Sequence, residues 1–269
     1  MHFLKISFFF TLMLSLSPLQ AQLQLCKLVA DHMVLQRGVE VPIWGWAAPG
    51  TKISLQFRDK SYSAKAQANR RWEILLPAMT AGGPYSMRIS SPSQRIEIKD
   101  LLIGDVWLCS GQSNMEWIVE FSANAEEEMA NGQDAQIRHF KIPQSSSEQP
   151  VDTLVAGEWA VCSPETVGEF TAVGYYFARE LRKQVKVPIG LINSSWGGSR
   201  IEPWMSAEAL GYKDVQRYIA QIQKIRKEEE AALKNRLTKA IGHLPEADEG
   251  LVGDKAYWAD PALDDREWA

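Results

Sequence analysis

The chain has 269 residues, 45% of them hydrophobic and 23% charged, with a formal charge of -4 at neutral pH. That length supports one large or two modest globular domains, and the ordinary composition excludes a disordered or fibrous chain. The acidic balance, with no Lys/Arg run longer than a pair such as Arg70-Arg71, argues against a nucleic-acid partner.

Residues 1–21 read as a leader. His2 and Lys5 make a short polar start, residues 6–16 an apolar stretch too short to span a bilayer, and Leu19-Gln20-Ala21 a cleavage site ending on a small residue. No second apolar run reaches spanning length. The expectation is an exported protein, periplasmic or secreted, with no membrane attachment after cleavage. Cys26, Cys109 and Cys162 are an odd number for an exported chain, so at least one thiol is expected. Leu25 precedes Cys26 where lipid attachment would need a small residue. With no His pair and no Cys-x-x-Cys, neither a metal nor another cofactor is expected.

Residues 22–100 read as short strands at 33–36, 41–47, 52–57, 62–67, 72–76, 84–90 and 95–99. Pro49-Gly50, Asn69-Arg70 and Gly82-Gly83-Pro84 punctuate them. This spacing predicts a small all-β sandwich that packs on the next domain. His32, next to Asp31, reads as a loop or strand-edge residue.

The pattern changes at residue 101. Residues 105–109 form a mostly apolar run, which predicts a strand buried on both faces of a parallel sheet. The run ends at Ser110-Gly111, and Gln112-Ser113-Asn114 follow at once. Two readings stand side by side here. In one, Ser113 and Asn114 only turn the chain and cap a helix. In the other, Ser113 is presented at the C-terminal end of the strand, where open α/β sheets bind ligands, with the free N–H groups of the next segment aimed at whatever it attacks. Residues 111–115 read G-Q-S-N-M, without the second glycine of a G-x-S-x-G elbow.

Residues 116–131 predict a helix or ordered loop, with Glu126, Glu127 and Glu128 on a solvated face. Residues 137–142 predict a second strand in which His139 is structural, and residues 159–162 a short edge strand. Phe170, Val173, Phe177, Leu181 and Val185 recur at helical spacing, so residues 170–184 predict a helix whose apolar face covers the sheet. Residues 187–193 predict a third buried strand, giving a parallel strand–helix–strand unit. It runs into Ser194-Ser195-Trp196-Gly197-Gly198, where two glycines permit close backbone approach. That segment is either a plain tight turn or the source of an N–H for an oxyanion. Residues 214–239 predict a long helix.

The string GQSNMEW at 111–117 resembles the sialate O-acetylesterase family, carbohydrate esterases of the SGNH-hydrolase superfamily. So do residues 193–199 (NSSWGGS), Ile201-Glu202-Pro203-Trp204, and residues 31–36 and 41–46 near the start. The resemblance spans roughly residues 25–206. It implies an α/β fold at 101–206, with an SGNH-hydrolase-like, flavodoxin-like parallel sheet that is incomplete, preceded by the β-sandwich at 22–100. Residues 207–250 would be a helical insertion and 251–269 the start of an inserted β jelly-roll. It implies Ser113 as nucleophile in ester hydrolysis. The Ser113 N–H and one of Gly197 and Gly198 would hold the oxyanion, and Gln112, Asn114, Glu116, Trp196 and Arg200 would line the substrate, an acetylated glycan or sialic acid. The family's Asp-x-x-His segment has no counterpart: none of His2, His32, His139 and His243 has an aspartate three residues before it. Nor is there a later Gln-Gly-Glu segment. The expectation is therefore the N-terminal part of a longer esterase, inactive by itself. The alternative is an exported, non-catalytic glycan-binding protein, which the missing base and ten tryptophans would suit.

Overall fold

The computed structural model describes residues 22–147, 150–242, 251–252 and 255–256. The leader at 1–21, and all but four residues of the stretch read as a jelly-roll start, lie outside them. The chain divides into two units, Met1–Trp204 and Met205–Ala269.

The first unit lays down β1 (Gln24–Leu25), β2 (Val34–Gln36), β3 (Val41–Trp46), β4 (Lys52–Phe57), β5 (Lys60–Lys65), β6 (Arg71–Leu76), β7 (Gly82–Ser90) and β8 (Arg95–Gly111). Next come α1 (Ser113–Glu116), a 3-10 turn at Val119–Phe121, α2 (Ala125–Ala130), β9 (Asp134–Lys141), β10 (Trp159–Cys162), α3 (Ala172–Val185) and β11 (Ile189–Ser195). One sheet has the order β1-β3-β6. The other is eight-stranded, in the order β10-β9-β11-β8-β7-β4-β5, with β2 also on β8.

Strand alternation builds the core of the N-terminal half. Ile53, Leu55 and Phe57 on β4 point inward, as do Trp72, Ile74 and Leu76 on β6. They meet Ile43, Met87, Ile89 and Ile98 in one cluster between the two sheets. Each such side chain removed from water contributes roughly 1.5–3 kcal/mol. The sandwich anticipated from the turn spacing is present, and β9, β11 and β8 supply the anticipated parallel strands.

Two strands expected separately, at 95–99 and 105–109, are one strand of 17 residues. β7 pairs with its first part and β11 with its second, in register from Ile189↔Asp105 to Ser195↔Gly111. The boundary placed at 100/101 thus falls inside β8. The expectation of burial on both faces is also corrected. Trp107 is 43% exposed and Leu108 68%. β2 leaves β8 at Gly104, so beyond it β8 pairs only with β11 among the described residues.

The helix over the sheet buries only part of the face its large residues suggested. Phe170 is buried and Leu181 and Val185 pack against the same core, but Val173 and Phe177 are exposed, and Ala172, Gly174, Tyr175 and Ala178 are buried instead. Small residues let α3 press close to β8: a Cβ on Gly174 would stand 2.9 Å from Cys109 Sγ. Phe177 instead meets Trp107 edge-on at 4.9 Å. On α2, Glu128 is not merely solvated but pairs with Arg179 of α3.

Within the first half of β8, Asp100 accepts two hydrogen bonds from Arg138, at 2.7 and 3.2 Å, and contacts His32 Nδ1 at 2.7 Å. Arg138 is only 3% exposed, and an arginine so buried requires such a partner. Arg138 above all holds the Asp100 carboxyl below its ordinary range. His32 and Asp100 both adopt positive φ, 66° and 54°.

In the second unit, α4 (Val215–Ile241) is capped by Asp214, whose carboxylate accepts the Arg217 N–H at 3.0 Å. Leu251–Val252 pairs antiparallel with Lys255–Ala256. Among the described residues no helix is long and apolar enough to cross a membrane.

Candidate active site

The parallel register brings two chain turns together. β8 and β11 end side by side, and the Trp196 N–H donates to the Gly111 carbonyl at 2.9 Å just beyond the last pair. Gly111 has φ +141°, a conformation side chains disfavour, and there the chain leaves the strand. Gln112 is extended and its carbonyl accepts the N–H groups of Met115 and Glu116, which winds the single turn of α1. Ser113 is the first residue of that turn and is exposed. The first N–H groups of a helix have no acceptor within it, and no side chain caps this one. Gln112 and Asn114 flank Ser113 and are also exposed.

A buried polar brace lies under this turn. The Met115 carbonyl accepts Thr171 Oγ1–H at 2.6 Å and Asn193 Nδ2–H at 3.2 Å. Ser195 donates to Asn193 Oδ1 at 2.7 Å. The Thr171 N–H donates to His139 Nε2 at 3.4 Å, and the imidazole stacks on Phe170 at 4.5 Å. Among the described residues the buried polar and charged side chains are Arg138, His139, Thr171, Asn193 and Ser195, and all but Arg138 belong to this brace. Burying such groups is costly unless they are hydrogen-bonded, and here the bonds hold α1, α3 and β11 to one another.

The brace also defines what His139 does. Burial first, then the charge of Lys141, pushes its pKa down to about 3. It is a neutral ring with its Nε2 lone pair engaged, in keeping with a structural role. His32 sits at Asp100, about 30 Å from Ser110 along an extended strand. Among the described residues, no histidine hydrogen-bonds Ser113. His2 and His243 lie outside them.

Above the turn, Glu116 uses both carboxylate oxygens. Gln144 Nε2–H donates to Oε1 and the Gly197 N–H to Oε2. Gly197 packs against this carboxylate: a Cβ there would lie 2.6 Å from Glu116 Oε2, which would have to shift, and 3.6 Å from Ser113 Cβ. Ser113 and the glycine pair are therefore neighbours. Gly198 has φ +73° and open space around it. Among the described residues no acceptor takes its N–H.

Beyond the glycines, Ser199 Oγ donates to the Trp196 carbonyl at 2.7 Å and accepts Trp204 Nε1–H at 2.9 Å. This folds 196–204 into a loop with both indoles partly exposed. Arg200 is exposed on the same loop. On the other side of Ser113, Trp117 and Phe121 form an exposed edge-on pair at 5.8 Å.

The residues singled out from sequence, Gln112, Ser113, Asn114, Glu116, Trp196, Gly197, Gly198 and Arg200, all lie on these two turns or their flanks. Thr171 and Gln144 were missed, and Asn193 and Ser195, inside the string NSSWGGS, were given no role. The signal for Asn193 was a polar residue interrupting an apolar strand; nothing in the sequence marked Thr171 or Gln144. The buried thiols are unreactive by environment: burial raises Cys109 to about 11 and Cys162 to about 12.

Residues 103–238 match the family described as carbohydrate esterase, sialic acid-specific acetylesterase. The sialate O-acetylesterases of Pongo abelii and Homo sapiens are each 35% identical over 202 residues, taking in 68% of this chain and 38% of theirs. That of Mus musculus is 32% identical over 201 residues, taking in 68% and 37%. The chain thus spans under two fifths of the length of the curated relatives it matches. The crystal structure of a carbohydrate acetylesterase from Xanthomonas citri is 46% identical, with a TM-score of 0.70 over 71% of this chain and 44% of that one.

Proposed function

The chain belongs to the carbohydrate esterase family of sialic acid-specific acetylesterases, and on that premise we propose that it carries the nucleophile half of a serine esterase. The complete polypeptide would remove O-acetyl groups from sialic acid or a related acetylated glycan. The observation that carries this reading is the meeting of an exposed Ser113 with the Gly197-Gly198 turn across two parallel strand ends.

Ser113 Oγ attacks the acetyl carbonyl as its proton passes to a general base. The tetrahedral oxyanion is held by the Ser113 N–H and the Gly198 N–H, such donors being worth about 10²–10³ in rate apiece. The C–O bond to the sugar breaks, and the leaving alkoxide takes the proton from the base. Water then attacks the acetyl-serine and releases acetate. The base and the acid that orients it come from residues outside those described. The 269 residues alone are expected to release little acetate.

Trp196 offers an aromatic face to the sugar ring, and Gln112 and Asn114 stand beside the nucleophile. Arg200 offers a guanidinium fork to a sialic acid carboxylate. Export by the leader would place the enzyme where acetylated glycans are met.

The test is acetate release by the complete polypeptide from O-acetylated sialic acid and from an acetylated plant polysaccharide. Ser113→Ala should abolish it on both, and retained activity would remove Ser113 from the mechanism. Arg200→Ala should raise KM for the sialic acid alone.

A further inference from the structure

Glu116 belongs to the same helical turn as Ser113. Three residues apart, the two share one face of α1, and that face meets the Gly197-Gly198 turn. The pair has few other restraints: the Trp196 N–H holds the loop to Gly111, the Ser199 N–H and hydroxyl hold it to the Trp196 carbonyl, and around Gly198 the space is open. On the nucleophile side, the contact is the Glu116 carboxylate on the Gly197 N–H, with Gln144 steadying the other oxygen.

We propose that Glu116 is a positioning residue that clamps the glycine turn against the nucleophile turn and so sets the spacing of the two oxyanion donors. Each of its oxygens accepts one bond from a protein donor, Gln144 on Oε1 and Gly197 on Oε2. Its bond consumes the Gly197 N–H, which leaves Gly198 as the donor of the pair. A hydrogen bond from a backbone N–H to a carboxylate is charge-assisted and stronger than a neutral one. The absence of a side chain at position 197 has the same origin, because a Cβ would strike the carboxylate at 2.6 Å.

The inference rests on the serine-esterase reading for its effect on rate, but the clamp is measurable without activity. In the 269-residue chain, the Gly197 amide proton should resonate downfield, and it should return upfield in Glu116→Ala. A Gly197 amide resonance that is the same in parent and variant would overturn the clamp, whatever the enzyme does.

In the complete polypeptide, Glu116→Ala should lower kcat about 100-fold, the scale of a misplaced catalytic group, while KM stays within about threefold. Glu116→Gln should recover most of the loss, because its amide oxygen still accepts the Gly197 N–H. Gly197→Ala should be harmful in the parent and much less so with Glu116→Ala, since the struck carboxylate is then gone. If Ser113→Ala is inactive while Glu116→Ala keeps the parent kcat, the clamp is wrong and the esterase reading stands. If Ser113→Ala stays active, the esterase reading fails and the Gly197 amide shift alone decides the clamp.

Discussion

Replacing Gly174 by alanine sets two effects of opposite sign against each other. In an ordinary helix interior, alanine is more stable than glycine by roughly 0.5–1 kcal/mol. Here the new Cβ would stand 2.9 Å from Cys109 Sγ and 2.7 Å from Thr171 Cγ2. Neither neighbour is free to move. Thr171 is fixed by its hydrogen bonds to Met115 and His139, and Cys109 lies in β8 between paired residues. The helix must lift or the brace must shift, and overpacking of this kind costs about 1–3 kcal/mol. Overpacking wins, for a net loss of about 1–2 kcal/mol. Urea unfolding followed by tryptophan fluorescence reads it directly. With a slope of about 2 kcal/mol per molar urea, the midpoint should fall by about 0.5–1 M with the slope unchanged. A midpoint that is unchanged or higher would mean that α3 does not approach β8 closely, and the account of the helix face would be wrong.

The other predictions concern the brace and the thiols. The pKa of His139 in the folded chain, about 3, lies below its unfolded value near 6.5, so the unfolded chain takes the proton first. Its contribution is therefore full above about pH 6.5 and is lost as pH falls toward 3, by up to about 1.4 kcal/mol per pH unit. His139→Gln should remove that slope, and an unchanged pH profile of urea midpoints would refute the assignment. Thr171→Val keeps the volume but deletes a hydrogen bond to the Met115 carbonyl, which Asn193 still reaches. Its urea midpoint should fall by the equivalent of about 1 kcal/mol, and no change would show that the threonine hydroxyl contributes nothing. Cys26, Cys109 and Cys162 are free and buried, so a disulfide-exchange reagent at pH 8 should label them only once urea unfolds the chain. Rapid labelling of the native chain would contradict that burial.

Much of the fold was legible in the residues because period and punctuation carry it. The strand at 52–57 and the edge strand at 159–162 were read to the residue, since alternation and flanking turn residues bound both. The Ser113 and Gly197 turns were legible as polar and glycine-rich ends of apolar runs. What was hidden depends on neighbours distant in sequence. The continuity of β8 across Asp100 arises because β7 and β11 pair with its two ends in succession, and no local signal reports that. The inward face of α3 was half legible: Phe170, Leu181 and Val185 do pack on the core, but spacing weighed by size passed over Gly174 and Ala178, where the helix comes close. The brace was invisible because Thr171, 56 residues from Met115, looks like any residue ahead of a helix. The clamp was half legible: Glu116 was placed beside the nucleophile, but its partners Gln144 and Gly197 come from two other segments.

The central claim is that Ser113 is the nucleophile of an acetyl transfer. The most direct measurement is to mix the complete polypeptide with an activated acetyl ester, quench in acid during the first turnover, and map the acetyl group by peptide mass spectrometry. The account predicts a single acetyl on the Ser113 hydroxyl, absent from Ser113→Ala. Acetate released in a first-turnover burst with the acetyl group on another residue, or from Ser113→Ala at the parent rate, would contradict it.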